Sequence, residues 1–348
     1  MADRIADDAG GESSGPANLP GAVERLWAGD GGGAVRLLGV ALTPAELAYR
    51  GVTRVRNAAY RLGVAPSDVP PVPAISVGNI TVGGTGKTPM VRWIVQWLRE
   101  RGYTPGILHG GYAEDEPALH RLWFPDLPVV AEKNRLRGAG HAMEMGADVL
   151  VLDDAFQHRR IGRDVDLVLV AAETWTRHRR LLPRGPYREP GRSLRRADVV
   201  VVTRRVAAPT RADQVAREVR ALSGRPTARA LLAAERWLDR AGRPRVGEPG
   251  DAVAAAGIGR PEDFFDQAEA AGARLSRAIA YPDHFAYTRR DASALERLAG
   301  PGPLVITAKD AVKLVPLLPD VDLWILDQQV RFEEGRDRVT RALAAAVT

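Results

Sequence analysis

Gly83-Gly84-Thr85-Gly86-Lys87-Thr88-Pro89 decides how this chain is read. An apolar run, Ala74-Ile75-Ser76-Val77, precedes it, and a helical pattern from Met90 to Arg101 follows. Strand, glycine loop, Lys-Thr and helix in that order make a phosphate cradle. The glycines let backbone N–H groups turn toward phosphate oxygens, and the helix adds its positive N-terminal end. Lys87 can then reach β/γ-phosphates, and Thr88 offers a hydroxyl to Mg²⁺. The usual spacing, G-x-x-x-x-G-K-[ST], has glycine where this chain has Thr81, while Gly83 and Gly84 sit inside the loop. The bland alternative is a glycine-rich turn that binds nothing, and the flanking strand and helix argue against it.

Working outward, short apolar runs recur at Gly106–Leu108, Val149–Leu152, Leu167–Val170, Val199–Val202 and Leu304–Ile306. Helical patterns such as Ala212–Leu222 separate several of them. The alternation predicts an α/β fold of P-loop NTPase type: a mostly parallel sheet with helices on both faces. Ser223-Gly224-Arg225-Pro226 is the best boundary. Beyond it Ala252–Ala256, a helix from Pro261 to Ala271, and Arg289–Leu298 read as a second, smaller α/β domain. The expected division is a disordered tail at 1–21, a nucleotide-binding domain at 22–225, the smaller domain at 226–322, and a segment 323–348 that returns to the first.

The chain has 348 residues, no cysteine and a net charge of +6. Disulfides and thiolate metal sites are therefore excluded. The positive balance favours anionic partners, although frequent arginine is also what a GC-rich genome would produce. No apolar run is long enough to span a bilayer. Thr43-Pro44-Ala45-Glu46 reads as a helix start, with Thr as N-cap and Pro at N1, and the helix should run to Leu62. Ala48, Val52, Val55, Ala59 and Leu62 fall on one face, and Arg50, Arg54 and Arg61 on the other. Such a helix can lie on an anionic membrane or pack its apolar face on the core; the pattern alone does not choose. Leu37–Leu42 add apolar surface and tilt the balance toward the membrane.

Val149-Leu150-Val151-Leu152-Asp153-Asp154 is an apolar strand ending in two carboxylates, the form that holds Mg²⁺ beside a phosphate loop. A strand end followed by a helix cap would look the same locally. Asp115, in Glu114-Asp115-Glu116-Pro117, reads locally as a solvated acidic loop. In Tyr281-Pro282-Asp283-His284-Phe285 the Asp could orient the imidazole or merely cap a turn.

Seven segments, taken in order, resemble the tetraacyldisaccharide 4′-kinase family of Gram-negative bacteria. They are Ile75–Pro89, Asp115-Glu116-Pro117, Leu152-Asp153-Asp154-Ala155-Phe156-Gln157-His158-Arg159-Arg160, Leu181–Pro190, Gly257–Pro261, Pro282-Asp283-His284 and Thr307–Lys313. Together they span roughly Ala41 to Asp327. The family tolerates a non-glycine at the Thr81 position. Where it usually has Ser-Arg-Gly-Tyr-Gly, this chain has His109-Gly110-Gly111-Tyr112-Ala113, and its linker to Asp115 is shorter.

The resemblance implies transfer of the ATP γ-phosphoryl group to the 4′-hydroxyl of tetraacyldisaccharide 1-phosphate, making lipid IVA. It implies Mg²⁺ and a peripheral position on the cytoplasmic face of the inner membrane. It assigns nucleotide binding to Gly83, Gly84, Thr85, Gly86, Lys87 and Thr88, and metal binding to Thr88, Asp153 and Asp154. Asp115 becomes the base for the sugar hydroxyl, His284 its partner, and Lys87 the neutraliser of phosphate charge. Two other readings compete. A P-loop regulatory ATPase acting on a protein partner would hydrolyse ATP without the glycolipid. A nucleic-acid binder lacks any recognisable motif here, so no nucleic acid is expected.

Overall fold

The computed structural model describes residues 23, 25–27, 32–111, 114–176 and 178–348. The tail expected at 1–21 lies outside the described residues. Helices α1 (Gly33–Ala41) and α2 (Thr43–Arg61) precede the first strand. Strands and helices then alternate: β1 (Ala74–Asn79), α3 (Lys87–Arg99), β2 (Pro105–His109), α4 (Asp115–Trp123), β3 (Val129–Ala131), α5 (Arg135–Glu144), β4 (Val149–Asp153) and β5 (Val165–Ala171). After a 3₁₀ turn at Gly191–Arg196 come β6 (Val199–Arg204), α6 (Pro209–Ser223), β7 (Thr227–Leu238) and the short β8 (Pro244–Arg245). The remainder is β9 (Gly250–Ala256), α7 (Pro261–Ala270), β10 (Ala273–Ala280), α8 (Arg289–Ala299), β11 (Leu304–Thr307), α9 (Ala308–Leu314), β12 (Leu323–Glu334) and α10 (Arg336–Val347).

One twelve-stranded sheet runs in the order β10-β9-β11-β12-β7-β6-β5-β1-β4-β2-β3, with β8 on β7. β7 is antiparallel to both β12 and β8, and the other described pairs are parallel. β1 and β4 are buried along their whole length, which is why they read as mostly apolar runs. Val77 pairs with Asp153, so the two acids at the end of β4 stand beside the strand that feeds the glycine loop. Ligands in open α/β sheets bind at these carboxyl ends.

α3 fills the core under β1 with Met90, Val91, Ile94 and Leu98, and α10 adds Val339 and Leu343 to the same cluster. A second group of cores lies around β9 and β11, where Val253, Leu304, Ile306 and Leu295 meet. The long pair β7–β12 connects the halves. Asp327 of β12 is fully buried and takes Arg92 of α3 at 2.6 Å and Arg236 of β7 at 2.8 Å. A buried carboxylate needs such partners, and here they pin α3 to β7 through β12.

α2 departs from its expected cap. It follows α1 with only Leu42 between, so the Glu46 amide donates to Leu42 O and no side-chain cap forms. Glu46, freed from capping, is 2% exposed and accepts from the Leu181 amide and from Arg50. The helix also faces the opposite way from a core-packing helix. Thr53 is buried, and Arg56 and Asn57 donate to the buried carboxylate of Glu189. Val52 and Val55 are 68% and 71% exposed, and Leu47 and Leu62 point outward with them. The polar side meets the protein and the apolar side does not.

Candidate active site

The glycine loop is held rigidly by its neighbours. Gly83 and Gly86 have φ of 99° and 88°, a region open to glycine at little cost. At Gly86 a Cβ would lie 2.4 Å from Leu232 Cδ1. Asn79 Nδ2 donates to Thr85 Oγ1 at 2.9 Å, Thr203 Oγ1 to Thr85 O at 2.9 Å, and Arg205 to Gly84 O at 2.7 Å. α3 begins at Lys87, so the free N–H groups of its first turn open onto the loop.

This loop is one wall of a cleft of about 1170 Å³. Gly83, Gly84, Thr85, Gly86, Lys87, Thr88, Asp115, Asp153, Asp154 and His284 all line it, so every residue expected at the site reaches one cavity. Lys87 Nζ stands 3.7 Å from Asp154 Oδ1, and Arg188 Nη1 donates to both oxygens of Asp154 at 3.0 and 2.9 Å. Burial disfavours the Asp154 charge, but Lys87 and Arg188 outweigh it and hold the carboxyl below its usual range. Asp153 behaves oppositely. It is 1% exposed, and burial together with the nearby Glu116 and Asp154 charges pushes it up to about 7.

Neither oxygen of Asp153 has a hydrogen-bond partner. With the Thr88 hydroxyl and Asp154, the donors are all oxygens, and those of Asp153 are unsatisfied. Mg²⁺ prefers that set, so these residues fit it.

Asp115 is not the solvated loop that its local sequence suggests. It opens α4 and is buried. His284, 42% exposed at its side chain, comes from the loop between β10 and α8 and donates from Nδ1 to Asp115 at 3.1 and 2.9 Å. Two residues absent from the expected site join them. Lys309 Nζ and Lys313 Nζ lie 3.8 and 3.6 Å from Asp115 Oδ2, and Lys309 also meets Glu116 at 3.0 Å. Burial would raise the Asp115 pKa, but the His284 hydrogen bond and the two lysines hold it far below the carboxylate range. The Asp115 bond in turn raises His284 above the ordinary imidazole value. Lys309 and Lys313 are four apart on α9, so they share a face; that spacing was the available signal.

Backbone strain marks the same place. Two non-glycine residues among the described ones have positive φ, Asp154 at 51° and His284 at 59°. Such conformations persist where the surroundings impose them, and they gather at functional sites.

The family model for tetraacyldisaccharide-1-P 4′-kinase matches residues 38–118 and 113–348. The chain belongs to the tetraacyldisaccharide 4′-kinase family. A tetraacyldisaccharide 4′-kinase from Anaeromyxobacter dehalogenans is 36% identical over 313 residues, covering 81% of this chain and 83% of that protein. One from Halorhodospira halophila is 35% identical over 346 residues, covering 94% and 97%. The crystal structure of LpxK from Aquifex aeolicus in complex with ATP is 25% identical with a TM-score of 0.71, covering 89% of this chain and 100% of that one. The protein is therefore a kinase on a P-loop-type fold, and the regulatory-ATPase reading gains no support. The two matched stretches overlap at 113–118, a range that includes Asp115.

Proposed function

We propose that this chain moves the γ-phosphoryl group of ATP onto the 4′-hydroxyl of tetraacyldisaccharide 1-phosphate, yielding lipid IVA. Family membership supports the reaction, and the geometry around Asp115 supports its mechanism. The hydroxyl oxygen attacks the γ-phosphorus, the bond to the β–γ bridging oxygen breaks, and ADP leaves. Asp115 takes the hydroxyl proton. The His284 hydrogen bond, with Lys309 and Lys313, favours its ionised form, which can accept the proton. So acidic a group gains the proton only as the hydroxyl oxygen bonds to phosphorus, and its main service is aim. His284 fixes that aim through Nδ1.

On the other side of the cleft, Lys87 and the loop amides hold phosphate oxygens, and positioning with charge neutralisation does most of the work of phosphoryl transfer. Thr88, Asp153 and Asp154 would hold Mg²⁺, which would spread the β/γ-phosphate charge.

The membrane is where the acceptor lies. Among the described residues no helix is long and apolar enough to cross one. α1 and α2 turn Leu37, Val40, Leu47, Val52, Val55 and Leu62 outward, with Arg54 and Arg61 exposed on α2. Apolar side chains flanked by arginine suit an anionic lipid surface. We place it at the cytoplasmic face of the inner membrane, where ATP is supplied. We read 22–225 with 323–348 as the nucleotide unit and 226–322 as the smaller unit that brings His284, Lys309 and Lys313.

The single observation that carries this reading is the Asp115–His284 pair, ringed by Lys309 and Lys313, in the same cleft as Lys87. Purified protein with labelled ATP, Mg²⁺ and the disaccharide 1-phosphate should yield a doubly phosphorylated lipid. ATP turnover that ignores the glycolipid would refute it.

A further inference from the structure

Next to the nucleotide cleft, three side chains gather that phosphoryl transfer does not require as a group. His109 ends β2, Asp153 ends β4, and His120 lies on α4. Leu108 pairs with Leu152, so the register sets His109 beside Asp153. His109 Nδ1 and His120 Nε2 stand 3.7 and 3.9 Å from one atom, Asp153 Oδ2. One ligand atom from each residue lies within 4.8 Å of the other two.

All three are buried, His120 completely. His109 Nε2, both nitrogens of His120 and both oxygens of Asp153 lack hydrogen-bond partners. Buried polar atoms are normally satisfied, so five orphans in one spot need an explanation. Ordinary core packing would place apolar side chains here instead.

The geometry points to a second metal site, a divalent transition-metal ion held by His109, His120 and Asp153 Oδ2. Two imidazoles and one carboxylate suit Zn²⁺ or Co²⁺ and are a poor set for Mg²⁺. Tetrahedral ligands about 2.0–2.1 Å from Zn²⁺ stand roughly 3.3–3.4 Å apart, a few tenths of an ångström inside the two His–Asp distances of 3.7 and 3.9 Å. His109 and Asp153 line the cleft, which gives an ion a way in. A metal here ties α4, with Asp115 at its start, to the ends of β2 and β4.

The test is Co²⁺ titration of chelator-stripped full-length protein in excess Mg²⁺, followed by visible d–d absorption, with Zn²⁺ content measured in parallel. Wild type should take up one equivalent and show tetrahedral bands, and Zn²⁺ should raise its Tm reversibly to chelator. His120→Leu and the pair His109→Ser with His120→Leu should bind at least ~10-fold more weakly, as loss of one or two ligands requires. MgATP binding by the variants checks that they fold. Absence of Co²⁺ and Zn²⁺ uptake by wild type, or unchanged uptake in the double variant, overturns the site. The wild-type measurement stands alone should a variant fail to fold.

Discussion

His284 Nδ1 sits 2.9 Å from Asp115 Oδ2, across 169 residues of sequence. The two come from α4 and from the loop between β10 and α8, and each shifts the titration of the other. The carboxyl goes down, and the imidazole goes up.

Asp115→Ala should lower transfer to the sugar by about 10²–10⁴-fold, the range for a lost acid–base group, with MgATP affinity kept. His284→Ala should cost less. The double variant should be little worse than Asp115→Ala, because both act through one carboxylate. Steady-state kinetics with equilibrium nucleotide binding checks this, and full activity in Asp115→Ala removes it from the mechanism.

The same pair gives a pH signature. His284 has a raised folded-state pKa, so its contribution to stability is complete below the ordinary value of 6.5 and fades as pH rises through the higher folded value. The Tm gap between wild type and His284→Ala should therefore shrink on the alkaline side. Asp115 behaves in the reverse sense: its contribution is present above its ordinary value of 3.8 and is lost only in stronger acid. In Asp115→Asn, imidazole NMR should show His284 titrating closer to 6.5.

Lys309→Met and Lys313→Met each strip a cation from Asp115. Transfer should fall about 10–100-fold, with the acid limb of the pH–rate profile moving up because the carboxyl is less strongly held ionised. Unchanged acid limbs in both would show that the lysines do not govern that carboxylate.

Gly86→Ala meets two obstacles, a φ of 88° and Leu232 Cδ1 at 2.4 Å from the new Cβ. Strain of about 1–3 kcal/mol should reshape the loop and weaken MgATP binding by roughly tenfold or more. Calorimetry decides it.

Val52→Glu with Val55→Glu should abolish cosedimentation with anionic vesicles. Each buried apolar side chain is worth about 1.5–3 kcal/mol, so partitioning should fall by at least ~10²-fold. Activity on detergent-dispersed substrate should survive, because neither residue touches the cleft.

Much of this was legible before any coordinates. β1, β2, β4, β5, β6 and β11 follow the apolar runs, since buried parallel strands need few polar residues. β7 was invisible: Thr-Ala-Arg-Ala-Leu-Leu-Ala-Ala-Glu-Arg-Trp-Leu is built of helix formers, and pairing with β6 and β12 overrides that preference. The apolar pattern of β12 covers only Leu323–Leu326; its polar half leaves no such signal and is stabilised by ladder bonds and by the Asp327 pairs. The phosphate loop and its carboxylates could be read locally. Asp115 and His284 could not, since burial and a contact across the cleft make them a pair, and neither leaves a local pattern.

β12 occupies the interior of the sheet, between β11 and β7, yet lies after residue 322. A ribosome releases the nucleotide loop long before the strand that joins the two halves. Until β12 emerges, β7 and β11 each present an open edge, and Arg92 waits for its carboxylate. Maturation of this catalyst is thus a late event in translation, and the nascent chain should depend on holding chaperones throughout that interval.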